Sequence, residues 1–159
     1  MKYLEDIQVG ERYALGRYTF GADEIKAFAA RFDPQAFHLD EKAGAASHFG
    51  GLCASGWHTA SIWMRLMVEY GRRMAEQARA RGEPVAAIGP ALGFRDLQWR
   101  KPVYAGDTVE YASEVVETRA SASRPGYGLM TIRSRGINQN GEEVISFLST
   151  TFVERKPGQ

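Results

Sequence analysis

Apolar positions change their rhythm several times along the chain, and each change marks an element. Tyr13, Leu15 and Tyr18 stand among polar neighbours over residues 12–20, which predicts an extended segment. Gly21-Ala22-Asp23-Glu24 then opens a short helix, with acidic residues in the first turn where they suit the helix dipole. Ile25, Phe28 and Phe32 fall at spacings of three and four and give that helix one apolar face. Pro34 ends it, because the residue before a proline avoids the helical region. Residues 33–55 read as a long irregular stretch rich in Gly, Ala and Ser. Loops of this length inside a small domain are functional or disordered, and Phe37, Phe49 and Leu52 predict that this one is ordered.

A long helix is expected from Gly56 to Arg81. Trp57, Ala60, Met64, Met67, Met74 and Ala78 keep a three-four rhythm, while Ile62, Trp63, Leu66 and Val68 fill the other side of the first half. A helix apolar all round is buried on all sides, so the first half is expected inside and the arginine-rich second half in solvent. Gly82 and Pro84 stop it. The remainder reads as strands. Leu92 to Val103 is one, whose alternation shifts phase between Leu92/Phe94 and Leu97/Trp99, as a bulge would cause. Ala105-Gly106-Asp107 turns the chain, Val109, Tyr111 and Val115 alternate along the next strand, and Arg124-Pro125-Gly126 breaks it. Leu129 to Ile137 resumes with Arg133 and Arg135 on one face, and Asn140-Gly141 signals a hairpin. Val144 to Val153 is apolar on both faces, which fits an interior strand. One buried helix followed by about four antiparallel strands predicts an α+β layer in which the sheet curls around the helix. No repeat or linker divides residues 1–159, so one domain is expected.

Composition narrows the function more than the fold. At 159 residues, 44% apolar and 25% charged, the chain can build a core without staples. A net charge of +1 gives no broad basic field, so no nucleic-acid partner is expected. The lone Cys53 excludes an intrachain disulfide and a Cys-rich zinc site, and suits a reducing cytoplasm. The N-terminus carries Glu5 and Asp6 where a signal peptide would be apolar. Ala43 to Met64 holds no Asp, Glu, Lys or Arg and is long enough to span a bilayer. Its glycines, three serines and two histidines fit a segment buried in protein instead, so no membrane partner is expected.

His38, His48 and His58 match no compact metal motif, although Asp33, Asp40 and Glu41 lie near enough in sequence to complete a site in three dimensions. No phosphate-binding loop and no Gly-x-Ser-x-Gly elbow is present. Asp33 and His38 flank a proline-initiated turn that could fold five residues back and bring both side chains onto one water. The same residues also fit a plain turn with a half-buried histidine. Downstream, Ala54-Ser55-Gly56-Trp57 begins the long helix. First-turn N–H groups lack internal partners, and glycine permits close approach, so a carbonyl oxygen aimed there would be polarised. A routine helix start capped by Ser55 fits equally.

Together these segments resemble a known family. Phe32-Asp33-Pro34-Gln35-Ala36-Phe37-His38-Leu39-Asp40, Phe49-Gly50-Gly51-Leu52 and Ala54-Ser55-Gly56-Trp57-His58 are similar to the hydratase motif of MaoC-like dehydratases, which include (R)-specific enoyl-CoA hydratases. Pro102-Val103-Tyr104-Ala105-Gly106-Asp107-Thr108-Val109 resembles the family's later strand-turn-strand. The chain departs from the family's Asp-x-Asn-Pro-x-His pattern: Pro34 follows Asp33 directly, Gln35 stands in the place of Asn, and Ala36 in that of the proline. The resemblance implies a hot-dog fold, a long helix wrapped by a curved antiparallel sheet, with a homodimer as the minimal unit. It implies a hydro-lyase that hydrates a trans-2-enoyl-CoA to a 3-hydroxyacyl-CoA without metal or redox cofactor. Asp33 and His38 take the place of the acid/base pair, and Gly56 that of the backbone oxyanion donor. The uncharged run would line the acyl pocket, with Ser47, Phe49, Ser55, Trp57 and Trp63 as candidates. Arg100, Lys101, Arg124, Arg133 and Arg135 are candidates for the coenzyme A phosphates, none of them assigned. Two alternatives are a hot-dog thioesterase and a non-catalytic acyl-thioester binding module. The absence of any Asp or Glu between Glu41 and Glu69 counts against the thioesterase.

Overall fold

The computed structural model describes residues 2–158. After a short 3-10 turn at Leu4–Asp6, the elements run β1 (Arg12–Thr19), α1 (Ala22–Phe32), α2 (Ala36–Leu39), α3 (Glu41–Ala46), α4 (Gly56–Ala80), β2 (Ile88–Trp99), β3 (Thr108–Ala120), β4 (Tyr127–Asn138) and β5 (Glu143–Glu154). The five strands form one antiparallel sheet in the order β1-β3-β4-β5-β2. β5 lies between β4 and β2, the interior place that its two apolar faces predict.

α4 touches strands at both edges of the sheet, as a sheet wrapped around a helix requires. Leu66 packs beside Gly16 of β1, Tyr111 of β3 donates its hydroxyl to Thr59 O at 3.0 Å, and Trp63 meets Phe147 of β5 edge-on at 4.6 Å. Phe94 of β2 lies edge-on to both Trp63 and Phe147. Phe20, Ile25, Val109, Tyr111, Val115, Ile145 and Val153 complete a core with no exposed surface.

Three features differ from the pattern reading. The 33–55 stretch is ordered but contains the short helices α2 and α3, the latter capped by Asp40, whose Oδ1 accepts from Ala43 N at 2.8 Å. Helices of one or two turns are too short to show an apolar period. β2 begins and ends about four residues early, at Ile88 and Trp99, and its register shifts between Arg95 and Gln98, where Asp96 takes φ +54°. Pro90 is tolerated because β2 is an edge strand. The first half of α4 is not buried on all sides: His58, Thr59, Ile62, Trp63 and Leu66 face the core, while Trp57, Met64 and Val68 are 54%, 42% and 52% exposed. One sheet covers one side of a helix, and an apolar pattern does not say what covers the other. No helix among the described residues is long and apolar enough to cross a membrane.

Candidate active site

Asp33 is the residue at which α1 stops. Its N–H still bonds Ala29 O at 2.9 Å, but its backbone has left the helical region (φ −155°) ahead of Pro34. Gln35 then folds back, its N–H bonding Asp33 O at 2.7 Å and its side-chain Nε2 donating to Asp33 Oδ1 at 2.8 Å. One turn of α2 follows and delivers His38 Nε2 to 3.4 Å from Asp33 Oδ2. The five-residue offset therefore does converge both side chains on one place.

The opposite wall comes from residues 49–56. This segment is stitched to 103–105 by Ala54 N to Val103 O at 2.7 Å, Ala105 N to Leu52 O at 3.1 Å, and Tyr104 Oη–H to Phe49 O at 2.6 Å. It presents Cys53 O to His38 Nδ1 at 2.7 Å. A carbonyl only accepts, so Nδ1 donates to it, which leaves Nε2 as the nitrogen facing Asp33. Ser55 Oγ donates to Asp33 Oδ2 at 2.7 Å and accepts from Trp57 N at 3.2 Å. Burial raises the Asp33 pKa, but hydrogen bonds from Ser55 and Gln35 and the charge of His38 outweigh it and hold the carboxyl below its ordinary value. Burial pushes the Cys53 thiol up to about 11, so it is a protonated neighbour of His38 and not a nucleophile. Among the described residues nothing accepts from the Gly56 N–H, the first of α4.

These groups line a cavity of about 480 Å³. Asp33, His38 and Gly56 supply polar atoms; Phe37, Phe49, Trp57 and Trp99 supply aromatic walls. Among the expected lining residues, Phe49, Ser55 and Trp57 are there, whereas Ser47 and Trp63 are not. Ser47 closes the end of α3, its Oγ donating to Gly44 O and accepting from Phe49 N. Trp63 is a core residue against Phe147. Ser55 commits its proton to Asp33, so it holds the carboxylate rather than a ligand.

Of the basic candidates, Arg100 and Lys101 border the cavity and pair with Glu143 and Glu142. Arg133, Arg135 and Arg100 border a second cleft of about 260 Å³. Arg124 stacks on Phe152 away from both. No group of three or more His, Cys, Asp or Glu among the described residues is placed to hold a metal. Sequence reasoning missed Gln35 as a ligand of Asp33, Cys53 O as the partner of His38, and Trp99. A backbone carbonyl carries no sequence signal, and Trp99 lies far along the chain from the turn it joins.

Residues 6–132 match the family described as MaoC like domain. The MaoC-like dehydratase of Rhodospirillum rubrum is 39% identical, with 99% of each chain covered and a TM-score of 0.82. The (R)-hydratase of A. caviae involved in PHA biosynthesis is 25% identical over 96% of this chain and 99% of its own, with a TM-score of 0.64. Protein YdeM of Bacillus subtilis (strain 168), itself uncharacterized, is 26% identical over 96% of this chain and 99% of its own. Mesaconyl-CoA hydratase of Cereibacter sphaeroides is 35% identical over 65 residues, which are 41% of this chain but only 19% of that enzyme.

Proposed function

We propose a reaction for a chain that belongs to the MaoC-like dehydratase family and has its hot-dog fold: reversible addition of water to a trans-2-enoyl thioester, giving a 3-hydroxyacyl thioester. The observation that carries the reading is the Asp33 carboxylate shared by His38 and Ser55 beside the unpartnered Gly56 N–H, on the wall of one cavity. The names of two relatives, an (R)-hydratase and a mesaconyl-CoA hydratase, support the same chemistry.

In this reading the thioester oxygen accepts from the Gly56 N–H, which withdraws charge and makes the β-carbon electrophilic. Asp33 Oδ2 and His38 Nε2 both accept from one water, and its oxygen adds to the β-carbon as a proton passes to the pair. The pair returns that proton to the α-carbon, so the net change is one water added and no electron moved. Phe37, Phe49 and Trp57 take the acyl chain, and Arg100 and Lys101 at the cavity border suit an anionic carrier such as coenzyme A. The reading includes a homodimer, joined along the exposed β2 edge.

The test is to mix the protein with saturated and unsaturated acyl-CoAs of several lengths. Loss of the enoyl chromophore without release of free thiol is expected. Free thiol would identify a thioesterase, and binding without either change a non-catalytic module. Asp33→Asn and His38→Gln are each expected to lower turnover at least about a hundredfold, the scale of a lost general acid/base, with unchanged circular dichroism. Near-wild-type turnover in either variant would remove that residue from the mechanism.

A further inference from the structure

Trp99 stands at the end of β2, and its indole N–H donates to Gly56 O at 2.9 Å. Thr59 Oγ1 donates to the same oxygen at 2.6 Å. That carbonyl is one half of the planar peptide joining Gly56 to Trp57, so fixing it fixes the direction of the Trp57 N–H as well. The Trp57 N–H donates to Ser55 Oγ at 3.2 Å, and Ser55 Oγ–H donates to Asp33 Oδ2 at 2.7 Å. A continuous series of hydrogen bonds thus runs from an edge strand, through one peptide unit and one hydroxyl, to the carboxylate. Packing reinforces it. The indole occupies the place a side chain at Gly56 would take, 2.5–2.7 Å from an ideal Cβ, and Trp57 lies edge-on to it at 5.2 Å.

We infer that Trp99 is a positioning residue, which locks the first turn of α4 so that the Gly56 N–H and the Ser55–Asp33 pair keep a fixed aim into the cavity. The inference rests on the hydratase reading. Bonds in such a series polarise one another, so removing the indole N–H loosens the carboxylate, and with it the first turn that carries the Gly56 N–H.

Trp99→Phe tests this, because it keeps an aromatic ring against the helix and deletes the donor. With the best enoyl-CoA from the substrate screen, kcat is expected to fall about fivefold to tenfold, the scale of one hydrogen bond. KM should stay within about twofold, since the aim of the donors matters most in the transition state. Trp99→Ala should show the same loss of kcat and a lower melting temperature. Unchanged kcat in Trp99→Phe would overturn the inference, and so would a rise in KM alone, which would make Trp99 a substrate contact. If Trp99→Phe does not fold, Thr59→Val, which removes the other donor to the same carbonyl, carries the same test. If the wild-type protein hydrates nothing, the hydratase reading fails instead. The inference is then read from amide hydrogen exchange at Trp57, expected to be about tenfold faster in Trp99→Phe and unchanged if the inference is wrong.

Discussion

Gly56 has no room for a methyl group. From sequence, alanine there would suit the helix and merely crowd an approaching oxygen, provided φ is negative, and Gly56 is not among the positive-φ glycines. The indole of Trp99 changes that expectation, since it fills the position of the missing Cβ. Gly56→Ala is therefore expected to lose about 1–3 kcal/mol of stability through overpacking as well as turnover, measured by thermal melting and by kcat. A variant as stable as the parent would mean that Trp99 moves aside freely. His58 is a second residue whose surroundings decide its chemistry. It is buried, stacked on Phe28 at 4.5 Å and edge-on to Phe20, and its Nδ1 has no hydrogen-bond partner. Burial depresses its pKa; Glu24 of α1 opposes the shift and Arg65 of α4 adds to it. The folded state then binds fewer protons than the unfolded state at mildly acidic pH. Stability is full above the unfolded value of about 6.5 and is lost as pH falls from there through the folded value. Melting temperature should decline with pH in that window, and His58→Leu should flatten the decline. An equal slope in both proteins would place the acid sensitivity elsewhere. Asp33, also depressed, contributes stability that is lost as pH falls from its ordinary value near 3.8 downward, so its window opens at a lower pH than that of His58.

The segment α2–α3 and the turn after it work as one element, and a glycine sets how closely they pack. An ideal Cβ on Gly44 would lie 2.8 Å from the backbone of Gly51 and Leu52, which cannot rotate away as a side chain could. Gly44→Ala is expected to cost about 1–3 kcal/mol and to lower turnover, because the displaced 49–56 segment carries the Cys53 carbonyl that orients His38. Loss of stability with normal turnover would separate the loop's packing from its role in the site. This element also shows where the sequence was readable. α1, α4 and the Asn140-Gly141 hairpin announced themselves through periodicity and turn residues, whereas spacing after a helix stop made Asp33 and His38 candidates and left their role to the family resemblance. α2 and α3 did not, being shorter than the period that would reveal them. Ser47 and Trp63 looked like pocket residues because an uncharged run does not distinguish a cavity wall from a core or a turn. Trp99 was invisible because its partner is a backbone carbonyl on another element.

At the scale of the whole molecule, two exposed apolar groups lie on neighbouring elements. Trp57, Met64 and Val68 line the outer side of α4, and Leu92, Phe94 and Trp99 are exposed on β2, whose second edge has no strand beside it among the described residues. An unpaired edge strand with apolar side chains is a template for another chain, and Trp57 and Trp99 also wall the cavity. A second copy paired along β2 would cover the edge and steady the strand whose last residue holds the first turn of α4. Two consequences follow from that arrangement. Sedimentation at micromolar concentration is expected to give a dimer, and Leu92→Lys, which places a charge on the edge away from Asp33, His38 and Gly56, is expected to shift it toward monomer. Turnover per chain should then fall with the same concentration dependence as dissociation, because the monomer keeps every group proposed to be catalytic but loses the support behind Trp99. A wild-type monomer at tens of micromolar would remove the edge-paired dimer, and a Leu92→Lys monomer with undiminished kcat would show that β2 positions Trp99 without help from a partner.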